Sequence, residues 1–419
     1  MFQSNIVVAP KIARMFQIAC FQRGLATKAA MSKTTLSSFK KERKALKDSR
    51  RVVVKVGTAV VINSDGKLAL SRMGGLVEQL KELKKSGRDV LLVSSGAVGL
   101  GRSILGLSRD VVSDPANVID RQACAAAGQE TLMSTYTSMF SALGLKCAQV
   151  LITQHDFSSP QRYRYLTDTL EKLAAIGVIP VINENDAVTG CRELDKEMCF
   201  SDNDMLSALV AGGVGADAVA MMTDVDGVFT KPPGEEGAER IKVYQDSASV
   251  EIGQKSSMGR GGMASKINAA LTATAGGSKA IIANGHDLTN ISGIFEGKDI
   301  GTLFPANDRK HDKMNYWLAH AATCEGAMTL RSSSVQELSR QASMQTPILL
   351  KDILRVQGDF RASSPVFLVD ERGGRIGRGI VQFDSCEIEQ NLERKLGTVA
   401  SMNDIVKGGQ LVLQHQQFM

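Results

Sequence analysis

The chain has 419 residues, of which 43% are hydrophobic and 22% charged, an ordinary composition for a folded protein with one large domain and a smaller one. Its seven cysteines are odd in number and form no Cys-x-x-Cys pair, which argues against a disulfide-built scaffold and favours a reducing compartment. No apolar run reaches the roughly 18 residues of a membrane span, and the five histidines form no metal-ligand cluster.

The net charge of +6 comes from the first 50 residues, which form a basic leader. Eleven lysines and arginines there oppose only Glu42 and Asp48, so the remaining 369 residues carry a net charge of −3 and need no polyanionic partner. Basic and apolar residues alternate without an acid before Glu42, which is typical of an organelle transit peptide. We therefore predict a mitochondrial location; the alternative is a cytoplasmic protein with a basic tail, or translation from Met31.

A β-branched run at residues 51–57 predicts the first buried strand. Lys55 lies inside this run, and burying an ammonium group is costly unless an anion meets it. Lys55 therefore either reaches out from the strand end or points at a phosphate above the carboxyl end of the strand.

Strands and helices then alternate along the chain. We predict helices at 71–86, 120–143 and 161–175, and strands at 89–93, 146–152, 178–182, 216–222, 279–283 and 301–304. This order predicts an α/β fold with a mainly parallel sheet covered by helices on both faces. The segment Ser94-Ser95-Gly96-Ala97 follows a strand and precedes a helix, which predicts an anion-binding corner. The glycines at 96, 99 and 101 do not have the dinucleotide spacing G-x-G-x-x-G.

Two polar segments are the strongest candidates for a ligand pocket. The strand at 178–182 runs into Asn183-Glu184-Asn185-Asp186, at the strand end where open α/β sheets bind ligands. The second segment, 201–204, precedes a short helix at 205–210 that Ser201 or Asp202 could cap. Together they offer amides and carboxylates to a small zwitterionic ligand; the alternative is two ordinary turns rich in Asn and Asp.

Residues 259–266 form a glycine-rich segment before a predicted helix at 267–275, with Lys266 in its first turn. Backbone N–H groups, the helix dipole and an ammonium group would converge there on a nucleotide phosphate. The segment is not a Walker A loop, and a flexible linker could have a similar composition. After residue 305, short β-like runs broken by glycines at 347–383 predict a small all-β module.

In register, these motifs resemble the glutamate 5-kinases of the amino-acid kinase family. The resemblance runs from residue 51 to 305 through VVKVGT at 53–58, SSGA at 94–97, NENDAV at 183–188, SDND at 201–204, TD at 223–224 and GRGGM at 259–263 with Lys266. Residues 325–405 resemble a PUA domain through VQGDF at 356–360, VDE at 369–371 and IGRGI at 376–380. The family implies an eight-stranded sheet and the ATP-dependent phosphorylation of L-glutamate to γ-glutamyl phosphate, the first step of proline biosynthesis.

The resemblance also implies roles for individual residues. ATP would be held by Lys55, Thr223, Asp224, Arg260, Gly261, Gly262, Met263, Ala264, Ser265 and Lys266. Glutamate would be held by Ser95, Asp186 and Asn203. A carboxylate nucleophile, with a reference pKa of about 4.3, needs no general base. Positioning and cations therefore carry the catalysis, with Lys55 and Lys266 as the cations and Asp204 as the carboxylate that orients them.

Further expectations concern cofactors and partners. Mg²⁺ would ride on the ATP phosphates and keep several waters, without a metal site built by the protein. The family implies a homo-oligomer and proline as a feedback inhibitor, although the segment 190–200 differs from common versions of the region that binds proline. Alternative functions are another amino-acid kinase, acting on aspartate, acetylglutamate, carbamate or UMP, a nonenzymatic regulator, or RNA binding by the tail, which lacks a dense basic or aromatic patch.

Overall fold

The computed structural model describes residues 33–113, 117–189, 202–244, 262–307, 311–340, 346–393 and 404–413. The chain divides into two compact units, residues 1–42 and 43–419. Helix α1, Lys33–Ala45, begins in the first unit, and the predicted targeting segment lies outside the described residues. Among the described residues, no helix combines the length and the apolar character needed to cross a bilayer.

A seven-stranded sheet forms the centre of the second unit, in the order β3-β4-β2-β1-β5-β6-β7. The strands are β1 Arg51–Val56, β2 Asp89–Ser94, β3 Lys146–Ile152, β4 Val178–Glu184, β5 Ala218–Thr223, β6 Lys279–Asn284 and β7 Thr302–Phe304. All neighbours are parallel except β7, which runs antiparallel to β6. The predicted parallel sheet is confirmed, and within the described part of the chain it has seven strands rather than the eight that the resemblance implied.

The central strand β1 explains the placement of Lys55. Its backbone is flanked by β2 and β5, with Lys55 opposite Val93 and Met221, and five of its six residues are buried. Strands buried on both faces are near-continuous apolar runs, as β1 is apart from this lysine and Arg51 at its start. Because its neighbours are parallel, the carboxyl ends of β4, β2, β1 and β5 meet at one edge of the sheet.

Helices cover both faces of this sheet. They are α2 Thr58–Val61, α3 Leu70–Lys85, α4 Ala97–Ile104, α5 Arg109–Ser113, α6 Val118–Ala142, α7 Pro160–Ala175, α8 Asn203–Gly213, α9 Met263–Ala275 and α10 Thr289–Phe295. The predicted helices at 71–86, 120–143 and 161–175 are thus confirmed to within two residues at each end. Helices α8 and α9 begin earlier than predicted, which brings Asn203 and Asp204 into the first turn of α8, while Lys266 lies in the first turn of α9 as predicted.

Two glycines bring α4 and α6 into backbone contact. A Cβ atom at Gly101 would lie 1.7 Å from the carbonyl oxygen of Cys124, and one at Gly128 would lie 1.9 Å from that of Ala97. No side chain fits either position, so the absence of a side chain is what lets the two helices approach this closely.

A second sheet of five strands, in the order β12-β11-β10-β8-β9, forms the C-terminal part. Its strands are β8 Gly326–Leu330, β9 Ile353–Gln357, β10 Pro365–Val369, β11 Arg375–Val381 and β12 Val406–Leu413. Neighbours are antiparallel except β10 and β8. Beyond the predicted β module, this part contains two helices, α12 Ser332–Arg340 and α13 Ser385–Glu393, and its last strand follows residue 405.

Helix α11, Lys313–His320, joins the two sheets. Its Trp317 is fully buried and donates from Nε1 to the carbonyl oxygen of Phe157, 2.7 Å away. From strand β11, the guanidinium group of Arg378 donates to the carbonyl oxygens of Leu318 and Ala322. Helix α11 therefore contacts both the segment that follows β3 of the large sheet and strand β11 of the small sheet.

Candidate active site

A cavity of about 400 Å³ lies at the carboxyl edge of the large sheet. The ends of β1, β2, β4 and β5 and the first turns of α4, α8 and α9 surround it. Its lining includes Lys55, Gly57, Thr58, Ser95, Gly96, Arg102, Arg109, Arg121, Glu184, Asp186, Asp202, Asn203, Asp204, Thr223, Asp224 and Lys266. Eight of the predicted site residues thus line one cavity, although they come from six separate segments of the sequence.

Lys55, Asp204 and Lys266 form a lysine cluster. Nζ of Lys55 lies 2.7 Å from Oδ1 of Asp204, and Nζ of Lys266 lies 2.7 Å from Oδ2 of the same carboxylate. Burial alone would raise the pKa of Asp204, but the two ammonium groups lower it to about 2. One ionised carboxylate therefore holds two cations at a fixed separation, with a net charge of +1 when both lysines are protonated.

The surroundings shift the pKa values of the two lysines in opposite directions. Burial lowers the pKa of Lys55 against the attraction of Asp204, and the nearby Lys266 lowers it further. Burial also acts to lower the pKa of Lys266, but Asp204 outweighs it and raises this pKa. Lys266 is thus the more firmly protonated of the two cations.

The first turn of α8 fixes Asp204 in place. Asp202 caps this helix: its Oδ1 accepts from the backbone N–H groups of Asp204 and Met205, at 3.1 and 3.0 Å. The other oxygen of Asp202 accepts a hydrogen bond from the hydroxyl of Ser265 in the first turn of α9. The cap expected at Ser201 or Asp202 is therefore formed by Asp202, which also links the two helices that carry Asp204 and Lys266.

An amide network connects β2, β4 and α8. Nδ2 of Asn203 donates to Oγ of Ser95 at 2.8 Å and to Oδ1 of Asn183 at 3.0 Å, while Asn183 donates to Oε1 of Gln129. The remaining Asn203 oxygen, Oδ1, is buried without a hydrogen-bond partner. Because a buried acceptor is costly to leave unsatisfied, this oxygen is suited to a ligand N–H group.

Arg121, Glu184 and Asp186 form a carboxylate cluster beyond this network. Nη2 of Arg121 lies 3.7 Å from Oδ1 of Asp186. Burial and the neighbouring charge of Asp186 raise the pKa of Glu184 to about 8. Burial raises the pKa of Asp186 to about 6, although Arg121 opposes the shift. Two buried carboxyl groups thus form a cluster with one arginine, an arrangement that favours a cationic ligand group.

The predicted nucleotide residues are described in part. Thr223 donates to Asp224 at 3.0 Å, and both line the cavity at the end of β5. Gly262 precedes α9, and Met263, Ala264 and Ser265 form its first turn with Lys266, but of these only Lys266 is among the lining residues. Arg260, Gly261 and Ser201 lie outside the described residues.

Sequence reasoning missed several lining residues, above all the arginines Arg102, Arg109 and Arg121. Because the expected reaction brings two anions together, more cations than two lysines are needed at the site. That requirement is a reason to look for arginines near the predicted site. Glu184 was part of a quoted motif but received no role. Among the described residues, no group of three or more histidine, cysteine, aspartate or glutamate side chains is placed to hold a metal ion.

Two family models match the chain. The model of the amino acid kinase family matches residues 50–284, and the model of the PUA domain matches residues 328–398. The chain belongs to the amino acid kinase family. The predicted family, fold class and PUA-like tail are confirmed by these matches.

Similar proteins include two glutamate 5-kinases and one larger synthase. A glutamate 5-kinase of Synechococcus elongatus is 40% identical over 348 residues, covering 82% of this chain and 92% of that protein. A glutamate 5-kinase of Bifidobacterium adolescentis is 37% identical over 358 residues, covering 84% and 91%. A delta-1-pyrroline-5-carboxylate synthase of Mesembryanthemum crystallinum is 41% identical over 321 residues, covering 74% of this chain and 44% of that protein.

Proposed function

We propose that this chain is a glutamate 5-kinase, which transfers the γ-phosphoryl group of ATP to the γ-carboxylate of L-glutamate. The products are ADP and γ-glutamyl phosphate, the first intermediate of proline biosynthesis. The observation that carries this proposal is the lysine cluster, placed in one cavity with the carboxylate cluster. The lysine cluster can stabilise the negative charge of a phosphoryl group in transfer, and the carboxylate cluster can bind the ammonium group of an amino acid.

The lysine cluster performs the catalysis in this proposal. The γ-carboxylate of glutamate is ionised at neutral pH, so the reaction requires the approach of two anions rather than a general base. In a loose phosphoryl-transfer transition state, charge spreads over the equatorial oxygens, where Lys55 and Lys266 can stabilise it. Asp204 keeps both ammonium groups in place without reorganisation, because each lies 2.7 Å from one of its oxygens.

The nucleotide occupies the β5 side of the cavity in this proposal, next to Thr223 and Asp224. The N-terminus of α9 and Lys266 present positive potential to the ATP phosphates. The neighbouring residues 260–265 would contribute backbone N–H groups. No protein metal site is needed, since Mg²⁺ bound to the ATP phosphates keeps several waters and offsets charge on them.

Glutamate occupies the β4 side of the cavity. Ser95 follows β2, the strand between β1 and β4, and accepts a hydrogen bond from Asn203, while Asp186 belongs to the carboxylate cluster. The buried Oδ1 of Asn203 provides an acceptor for an amino-acid N–H group. We assign the kinase domain to residues 51–305 and the PUA-like domain to residues 325–405.

A substrate panel tests this function. The purified chain is incubated with Mg²⁺–ATP and either L-glutamate, L-aspartate, N-acetyl-L-glutamate, carbamate or UMP, and ADP release is followed by a coupled assay. We expect turnover with L-glutamate above the other acceptors, and a hydroxamate when hydroxylamine is added. Preference for another acceptor, or no product above the blank without acceptor, would contradict the proposal.

We also propose that residues 1 to about 30 direct the protein to mitochondria. An acid-free stretch with Lys11, Arg14, Arg23 and Lys28 among apolar residues suits a basic amphipathic helix that is drawn to anionic membranes. Residues 1–50 fused to a fluorescent protein should be imported and cleaved. A diffuse cytosolic signal from an uncleaved fusion would support the cytoplasmic alternative.

Two further proposals rest on the family alone. The enzyme is a homo-oligomer, which sedimentation of the purified chain tests against a monomer mass of 44.9 kDa. Proline inhibits it in competition with glutamate, which rates at several proline concentrations test; no change in rate at saturating proline would reject this.

A further inference from the structure

Arg121 is a charged residue of the cavity to which neither the motifs nor the proposed chemistry assigns a role. It lies on α6, with its side chain about one-third exposed, and its guanidinium group is 3.7 Å from the carboxylate of Asp186. An arginine has five N–H donors in a planar fork, so pairing with one carboxylate oxygen leaves most of them available to a ligand.

The strand order places Arg121 away from the lysine cluster. Asp186 follows β4, and Lys55 lies on β1, with β2 between these strands. Neighbouring strands lie about 4.8 Å apart, so the two clusters are separated by roughly 10 Å along the edge of the sheet. A short ligand can therefore present one end to each cluster at the same time.

L-Glutamate has two different ends. Its γ-carboxylate must meet the phosphoryl group at the lysine cluster, so its ammonium group and α-carboxylate face the carboxylate cluster. There the two acidic side chains match an ammonium group, and Arg121 is the cation that matches a second carboxylate.

We propose that Arg121 is a specificity-determining residue whose guanidinium group pairs with the α-carboxylate of the acceptor, while Asp186 and Glu184 pair with its ammonium group. The site then selects a free α-amino acid rather than any carboxylate that could reach the lysine cluster. This inference rests on the proposed glutamate kinase activity. It adds the residue that recognises the α-carboxylate, at the opposite end of the substrate from the phosphorylated γ-carboxylate.

Truncated acceptors test this pairing directly. 4-Aminobutyrate is glutamate without the α-carboxylate, and glutarate is glutamate without the ammonium group. The wild-type enzyme and its Arg121→Met and Arg121→Lys variants are compared by their kcat/KM values on L-glutamate and on both analogues. Where an analogue turns over too slowly, its inhibition constant against L-glutamate replaces kcat/KM.

Arg121→Met should lower kcat/KM on L-glutamate about 10- to 100-fold, the usual effect of a lost charged hydrogen bond. The value for 4-aminobutyrate should stay within about threefold, because this acceptor has no α-carboxylate to lose its partner. Arg121→Lys should fall between, since lysine keeps the charge but not the two-point geometry. Arg164→Met is the matched control: Arg164 also pairs with an aspartate, Asp168, but both are exposed on α7.

An equal loss on L-glutamate and 4-aminobutyrate would overturn the inference, because Arg121 would then act only by positioning Asp186. A loss of discrimination against glutarate alone would overturn it too, since that signature belongs to the ammonium group. The wild-type rate on L-glutamate separates this failure from a failure of the proposed function: without any glutamate-dependent ADP release, both fall.

Discussion

The lysine cluster and the carboxylate cluster lie in the same cavity but have opposite electrostatic designs. In the first, one carboxylate lies between two ammonium groups, and the pKa of Asp204 falls to about 2. In the second, two carboxyl groups share one arginine, and the pKa values of Glu184 and Asp186 rise to about 8 and about 6.

The two clusters therefore differ in whether their protonation changes when a ligand binds. In the lysine cluster, the lowered pKa of Asp204 and the raised pKa of Lys266 keep these two groups ionised at neutral pH, so their field is present before any ligand arrives. The carboxylate cluster holds protons that a cationic ligand group can displace. A kinase with an amino-acid acceptor needs both, because the field on the phosphoryl group must be constant whereas the acceptor must be selected.

Removing a cation from the lysine cluster should have the largest effect. Lys266→Ala and Lys55→Ala should each lower kcat about 10²–10³-fold, the range found for loss of one preorganised donor to developing charge. The fold should persist, because Asp204 keeps the other lysine as its partner. Steady-state rates and thermal melting measure both, with Lys85→Ala on the exposed face of α3 as the control. Rates within a few-fold of wild type would remove these lysines from the mechanism.

Substitutions on the acceptor side should act on binding instead. Asp186→Ala and Asn203→Ala should raise KM for L-glutamate about 10-fold or more while changing KM for ATP much less, since each removes a polar partner on the β4 side. Initial rates with each substrate varied in turn distinguish the two constants. Asp168→Ala, an exposed position on α7, serves as the control. An effect confined to ATP would move these residues to the nucleotide side.

The pH dependence of glutamate binding tests whether the carboxylate cluster, unlike the lysine cluster, changes its protonation when the ligand binds. A carboxyl group with a raised folded-state pKa stabilises the fold below its unfolded pKa and loses that contribution as pH rises through the raised value. The ligand-free protein should thus lose stability towards about pH 8, the pKa of Glu184. An ammonium ligand offsets this loss, so the thermal shift produced by L-glutamate should grow from about pH 6 to about pH 8.

Differential scanning fluorimetry across this range provides the measurement. Glu184→Gln should flatten the pH dependence, whereas Glu236→Gln in an exposed loop should not. A glutamate-induced shift that is the same at both ends of the range in the wild type would show that the carboxylate cluster does not exchange protons for the ligand.

The smallest effect is expected at Ser265. Its hydroxyl donates to Asp202, which also accepts two backbone N–H groups at the start of α8 and so retains its capping role without the serine. Ser265→Ala should lower the melting temperature by about 2 °C or less and change KM for ATP less than threefold. A larger rise in KM would mean that the hydroxyl contacts the nucleotide, as the resemblance to the family implied.

The lysine cluster could be foreseen from the sequence, and the carboxylate cluster only in part. Lys55 interrupts a β-branched run, and an ammonium group in such a run is costly enough to indicate a purpose. Arg121 lies on a helix, where an arginine usually faces solvent, and only the packing of α6 against α4 brings it to the cavity. That packing depends on Gly101 and Gly128, whose need for backbone contact is invisible in a helical pattern.

Trp317 is the only tryptophan in the chain, and it is fully buried where α11 packs beside Phe157. Its ring centroid lies 6.4 Å from that of Tyr163 on α7. Indole emission is sensitive to solvent, so excitation selective for tryptophan gives an optical signal from this junction and no other part of the protein. Release of α11 shifts that emission to longer wavelength, whereas unfolding elsewhere with α11 still packed leaves it unchanged. The protein thus carries an unlabelled fluorescent reporter at the helix that joins its two sheets.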